Sequence, residues 1–278
     1  RYLLVTHYAN YVSPNTSFSG MTLIRLDSGA RQTFVLPAPP LGAAFTSDNR
    51  ALVVTAAEFL LYDPASGALS VLATIEDLAA RTLPVPPANF PPQITAASLA
   101  VSGDGERVYG LTDTFEFRFD RHPQRLKIIN YTSTPPQGPR VVSVNRDGSY
   151  YTSGWTLCDS NGVLVAQFPG ASGLLNVGSH AIDSGRGLVY AQIPSKAGDP
   201  PVLMVADADN LNVRERLNLP ENLAGKAAMS ADGEMMYAVS DSGLMALPVG
   251  AWERQRRLTL SAEEVFFLPG KIPISQVR

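Results

Sequence analysis

An all-β fold, a β-propeller of six four-stranded blades whose ring is closed by a C-terminal strand, is predicted by three features of this 278-residue chain. The first is Lys226–Gly243, KAAMSADGEMMYAVSDSG, which reads as two short strands joined at Asp232-Gly233. Met235, Tyr237 and Val239 alternate with Met236, Ala238 and Ser240 at the strand period. Asp-Gly is a strong hairpin signal because Gly accepts a positive φ and Asp tolerates one. The phrase returns at Val101–Asp113 and, in worn form, at Phe45–Ala56, Ser143–Gly154 and His180–Gln192. The second feature is an Asp that closes the third strand with Gly or Asn soon after: Asp63 with Gly67, Asp159 with Gly162, Asp207 with Asn210, and Asp120 before His122-Pro123 as a degenerate copy. The third is that helical periodicity is confined to Ile75–Arg81. Four short strands per repeat at this spacing is the blade period of a propeller rather than the period of a helical solenoid.

In chain order, Arg1–Tyr8 is an alternating strand, followed by a polar loop, Ala9–Gly20, the strand Met21–Leu26, the turn Asp27–Gly29 and the strand Arg31–Leu36. The second unit runs Ala43–Thr46, the Asp48-Asn49 turn, Arg50–Ala56, Phe59–Tyr62, the turn Asp63–Gly67 and Ala68–Ile75. The proline-rich insertion Thr82–Gln93 reads as a surface loop. Second strands start at Arg1, Arg50, Arg107, Ser149, Leu188 and Glu234, which gives six blades; seven would follow if Thr82–Gly103 or Ser133–Val144 held a worn unit. The first blade lacks its innermost strand. Glu264–Leu268, EVFFL, is strand-like and would supply it, pairing the two ends of the chain and removing exposed edges. Residues 1–260 are therefore expected to form the propeller, and residues 261–278 the closing strand or the start of a linker to a following domain.

With 45% hydrophobic residues, a chain of this length can bury a large single core. A net charge of -3 without a basic run leaves no electrostatic footprint for nucleic acid. No apolar run approaches the roughly 20 residues needed to cross a bilayer, so membrane insertion is not expected. Cys158 is the single cysteine, which excludes an internal disulfide framework and a multi-cysteine metal site. The N-terminus, RYLLVTHYAN, begins abruptly on a strand and lacks the cleavage-site layout of a signal peptide, so a segment removed upstream is expected.

The phrases RYLLVTHYAN, ERVYGLTDT, LVYAQIPSK and MMYAVSDSG, with VLMVADADNLNVRERLNLP as a third-to-fourth strand pair, resemble the repeats of YVTN-type, lactonase-like bacterial β-propellers over nearly the whole chain. That group includes enzymes, surface-layer proteins and propellers of other roles, so the resemblance implies a fold and leaves the chemistry open. Leu258–Arg278 further resembles the lead-in from a secreted propeller to an immunoglobulin-like domain, which would place this chain within a longer multidomain protein.

Turns between first and second strands lie on one propeller face. The second-to-third and fourth-to-first connections lie on the other, the usual binding face, and turn geometry already accounts for Asp104, Asp147 and Asp232. The binding face collects the candidate ligand-binding residues Tyr8, Asn10, Tyr11, Trp155, His180 and Asp199. Tyr8, Tyr11 and Trp155 suit stacking on a sugar or a peptide. His180, on an inner strand, could act as a general base or metal ligand, or simply hydrogen-bond its neighbouring strands. No Gly-x-Ser-x-Gly elbow, Gly-x-Gly-x-x-Gly, P-loop, His-Glu-x-x-His or Cys-x-x-Cys occurs. No catalytic residue, metal site or cofactor is therefore assigned.

The expected function is a non-catalytic extracytoplasmic binding or structural module of a bacterial secreted or surface protein. Its partner would be a glycan, a peptide or another surface protein, and its place extracellular, on the cell surface or periplasmic. The alternatives are a lactonase-like small-molecule hydrolase and a subunit of an extracellular filament or surface lattice. A channel lined by apolar, Ser or Ala residues would favour the binding module, and converging carboxylates around an ion the hydrolase.

Overall fold

The computed structural model describes residues 2–10, 17–86, 88, 90–131, 140–168, 177–194, 196 and 198–255. The first blade is β1 (Tyr2–Asn10), β2 (Ser17–Arg25) and β3 (Arg31–Val35), and the second is β4 (Pro40–Phe45), β5 (Ala51–Thr55), β6 (Glu58–Asp63) and β7 (Ala68–Thr74). A short helix, α1 (Ile75–Thr82), leads on to the third blade, β8 (Ala97–Val101), β9 (Arg107–Thr112), β10 (Phe115–Asp120) and β11 (Arg125–Tyr131). The fourth is β12 (Val142–Val144), β13 (Tyr150–Ser153), β14 (Thr156–Asp159) and β15 (Leu164–Gln167), and the fifth β16 (Ser179–Asp183), β17 (Leu188–Gln192), β18 (Val202–Asp207) and β19 (Val213–Asn218). The sixth is β20 (Leu223–Met229), β21 (Met236–Ser240) and β22 (Gly243–Leu247), after which residues 249–255 turn helical. All neighbours within a blade are antiparallel, and the molecule is a six-bladed β-propeller, as the repeats predict.

Stacked blades cover both faces of the middle strands of the second to fifth blades, which explains why these strands read as near-continuous apolar runs. All five residues of β5 and of β17 are buried, whereas the outer strand β19 alternates half-buried and exposed. The innermost strands β4, β8, β12, β16 and β20 pack successively side by side, and β1 packs on β4. β1 pairs with β2 and has no second strand partner among the described residues. The segment expected to stand there, Glu264–Leu268, lies outside the described residues. The helix α1 falls where the periodicity puts it: Thr74 caps it by accepting from the Asp77 amide at 3.0 Å, and Ile75, Leu78 and Ala79 are buried.

The repeated Asp-Gly turn is a hairpin loop in which the Gly takes the positive φ and the Asp does not. Gly105, Gly148 and Gly233 take φ of 73°, 68° and 72°, and Asn49 takes 64°, but the aspartates beside them are not at positive φ. In the third blade the Gly105 amide donates to the Ser102 carbonyl at 2.8 Å, so the loop spans four residues. Asp104 accepts from the Ser102 hydroxyl and from the Glu106 amide. Thr46, Asp48 and Arg50 repeat this arrangement, as do Ser230, Asp232 and Glu234. The aspartate is thus a side-chain staple for the turn.

Candidate binding site

The inner strands PLGAAF, ASLAV, VSV, SHAID and LAGKAAM bring mostly small residues to the centre of the ring, and Asp183 and Lys226 are the charged residues they carry. Asp183 is claimed by the turn face, where Arg186 pairs with it at 2.7 Å and with Glu234 at 2.9 Å, tying the fifth blade to the sixth.

His180 lies in β16 with its side chain fully buried. Its Nδ1 is 2.8 Å from the Ser143 hydroxyl and 3.1 Å from that of Thr152, both in the fourth blade. The Ser143 hydroxyl donates to the His180 carbonyl at 2.7 Å, so Nδ1 is assigned as the ring's N–H donor to it. Nε2, which then carries the lone pair, has no hydrogen-bond partner among the described residues. Burial pulls the imidazole down to about 4, and the carbonyls of Val141, His180 and Gly154 offset only part of that. At neutral pH the ring is uncharged and ties two blades together. A serine whose proton is given to a backbone carbonyl and whose histidine is walled from solvent is not an activated nucleophile.

Of the other candidates, Trp155 sits in the turn between β13 and β14, half-buried against the cluster that joins the fourth and fifth blades, and its carbonyl accepts from Phe168 at 3.0 Å. Gly154, beside it, is the residue whose carbonyl approaches His180, so these two candidates share one corner of the loop face. Asp199 stands in the loop between β17 and β18, half-buried, and accepts from the Lys196 amide at 3.0 Å. Tyr8 and Asn10 occupy the loop-face end of β1, in register with Ser19 and Ser17. Their side chains, and Tyr11 as a whole, lie outside the described residues.

Two features were not anticipated. Glu116, 4% exposed at the start of β10, accepts from the Tyr151 hydroxyl and the Ser153 hydroxyl, each at 2.6 Å. Burial first, and this carboxylate second, push the Tyr151 phenol above its usual range; the same two causes raise the Cys158 thiol to about 11. Both therefore stay protonated, and Cys158 is not a reactive thiol. Glu116 holds an intervening position of the Phe alternation in FEFRF, and a charged residue on a strand that neighbouring blades cover on both faces is the signal that could have marked it. The second feature is an open groove of about 660 Å³ on the Asp-Gly turn face, between the fourth and fifth blades. Asp147, Arg146, Tyr150, Asp209 and Arg214 are among its walls. Its charges are of both signs, and Arg214 is paired with Asp207. Among the described residues no three His, Cys, Asp or Glu side chains converge as a metal site, and no helix is long and apolar enough to cross a membrane.

Fold and site together define a β-propeller. No family model and no curated protein matches the chain. Among solved structures it is similar to the propeller domain of Cps50 (Swd1) from Myceliophthora thermophila, at 12% identity and a TM-score of 0.54 over 82% of this chain and 76% of that one. It is also similar to regucalcin, a calcium-binding protein from Agrobacterium tumefaciens, at 14% identity and a TM-score of 0.48 over 79% and 74%. At these identities the likeness is one of fold alone.

Proposed function

We propose that this chain is a YVTN-type, lactonase-like propeller that serves as a non-catalytic recognition module of a bacterial secreted or surface protein, outside the cytoplasm. The observation that supports it most is the state of His180. The one histidine on an inner strand is buried, neutral and bonded to Ser143 and Thr152 across a blade boundary, so it has a structural occupation in place of a chemical one. The small-residue inner strands agree with this. Recognition then falls to the loop face, to Trp155 in the fourth blade, Asp199 in the fifth and the Tyr8–Asn10 end of β1 in the first, with Tyr11 next in sequence, and aromatic stacking with amide hydrogen bonds suits a glycan, a peptide or another surface protein.

Two assays test the reading. A lactone and ester hydrolysis screen, with and without Ca²⁺ or Zn²⁺, is expected to show no turnover above background. A cell-envelope glycan and peptide pull-down is expected to weaken several-fold with Trp155→Ala and to be unchanged by Arg146→Ala on the turn face. Metal-dependent turnover abolished by His180→Ala would replace this reading with the hydrolase.

A further inference from the structure

Three blade boundaries are bridged on the turn face by contacts that run from one turn to the next. Between the second and third blades the Ser47 amide donates to the Gly105 carbonyl at 3.0 Å. Between the third and fourth, Arg107 Nη1 donates to the carbonyls of Asp147 and Gly148, each at 3.1 Å. Between the fifth and sixth, Arg186 reaches the Gly233 carbonyl at 2.6 Å and Glu234 at 2.9 Å. Tyr150 holds in the fourth blade the place that Arg107 holds in the third, since each gives its carbonyl to the amide at the other side of the turn, Asn145 and Ser102. A phenol there replaces the guanidinium that would reach the next blade. The Arg146 amide still donates to the Ser184 hydroxyl at 2.8 Å, but no arginine crosses to the fifth blade among the described residues, and the groove of about 660 Å³ opens at this boundary.

Most charges that line the groove are already engaged. Asp104 and Asp147 hold their own turns, Arg186 is shared by Asp183 and Glu234, and Asp207 is paired with Arg214. The exceptions are Arg146 on the fourth blade and Asp209 on the fifth: both are exposed, and neither side chain forms a hydrogen bond or ion pair among the described residues. The repeat calls for neither charge. Arg146 precedes the turn aspartate, where the other turns carry Ser47, Gly103 and Ala231. Asp209 stands two residues past the aspartate that closes the third strand, where the second and fourth blades carry Ala65 and Asn161. Turn chemistry therefore accounts for neither, and the two are of opposite sign on opposite walls. Tyr150, 38% exposed, adds an aromatic surface, with Ile182 and Ala208 as further apolar lining.

We propose that this groove is a second binding site, separate from the loop face, for a short peptide with free termini: its carboxylate on Arg146, its ammonium on Asp209 and an aromatic side chain on Tyr150. The planar fork of a guanidinium matches a carboxylate in two parallel hydrogen bonds, and a carboxylate accepts from an ammonium. A phenol ring offers a face or an edge to a second aromatic ring. The volume lies within the range of small-ligand sites, roughly 300–1,000 Å³, and an extended tripeptide is about 10 Å long. A polyanion is disfavoured, because Asp104, Asp147, Asp207 and Asp209 all line the groove, whereas a molecule with one charge of each sign meets both uncommitted groups. Polymeric envelope material does not present two free termini a few residues apart, so the pull-down reads the loop face, and the two sites stand or fall separately.

The test is titration calorimetry of the full chain at low salt with the tripeptide Ala-Phe-Ala in four forms: free, N-acetylated, C-amidated and capped at both ends. The free peptide is expected to bind saturably, and each cap to weaken it by about three- to fivefold, as for an exposed ion pair. Arg146→Ala should weaken the free peptide by the same factor and abolish the discrimination against the amide. Asp209→Asn should do so for the acetyl form. Both side chains are exposed and uncommitted, so these variants keep the fold, and Trp155→Ala on the other face should leave the binding unchanged. No saturable binding, equal binding of the doubly capped peptide, or amide discrimination that survives Arg146→Ala would each overturn the assignment. Loss of binding with Trp155→Ala would overturn it as well, by moving the peptide to the loop face.

Discussion

Between the second and third blades, Phe59 meets Phe117 edge-on with ring centroids 4.8 Å apart, and Gly110 leaves the space that Phe117 fills: a Cβ there would stand 2.0 Å from the ring. Between the sixth and the first, Tyr237 is 42% exposed. The tyrosines at the corresponding strand position in the third and fifth blades, Tyr109 and Tyr190, also point toward the next blade and are 0% and 1% exposed. The same residue type in the same place in the repeat is therefore core or surface according to whether the next blade is packed on it. In a ring of blades an exposed apolar row marks an unfilled interface more often than a surface patch, because every middle strand is built to be covered on both sides.

The largest effect should come from the sealed side of that comparison. Phe117→Ala leaves a cavity among Phe59, Phe115 and Val108, and is expected to cost about 3–5 kcal/mol in urea unfolding. A loss under about 1 kcal/mol would mean that the interface relaxes and is not the rigid core its ring geometry indicates.

Polar contacts at a sealed interface make a second test. The His180 ring bridges the fourth and fifth blades, with a folded value of about 4 against 6.5 for the free side chain. Because the unfolded chain binds the proton more readily, stability rises with pH through this window. The contribution is complete above about 6.5 and is lost as pH falls toward 4, for a total of about 3 kcal/mol. The comparison is between the native chain and His180→Gln: the difference between their stabilities should shift by about 3 kcal/mol between pH 6.5 and pH 4 and be flat on either side of that window. Parallel profiles would show that the ring is not desolvated.

Much of this was legible in the sequence, for a local reason. Strand period and turn residues act over a few positions, so the six blades and α1 could be placed from MMYAVSDSG, ERVYGLTDT and IEDLAAR alone. What needed the fold were relations across blades. That His180 is neutral depends on its burial between two blades, where it meets Ser143 and Thr152, far from it in the chain. Nothing in FEFRF says that Glu116 meets Tyr151 and Ser153. The turn-face groove lies on the face that turn chemistry argued against, since local reasoning sees the aspartates and not the space between two blades.

The smallest effects should come from turn glycines, and they separate backbone strain from blade contact. Gly67, in an outer turn at φ 72°, has nothing within 4 Å of where a Cβ would stand, so Gly67→Ala should cost only the left-handed penalty of about 1 kcal/mol. Gly233, also at 72°, would bring a Cβ to 2.6 Å from Arg186 Nη1, the end of a flexible side chain that can move aside, and Gly233→Ala should cost slightly more than Gly67→Ala. Gly105, at 73°, would meet the backbone nitrogen of Ser47 in the second blade at 2.7 Å, and that backbone also donates to the Gly105 carbonyl at 3.0 Å. It cannot yield without parting two blades, so Gly105→Ala should cost about 1–2 kcal/mol beyond the other two. Equal losses at all three positions would mean that the turns register only their own φ and that blades two and three are spaced by their aromatic core alone.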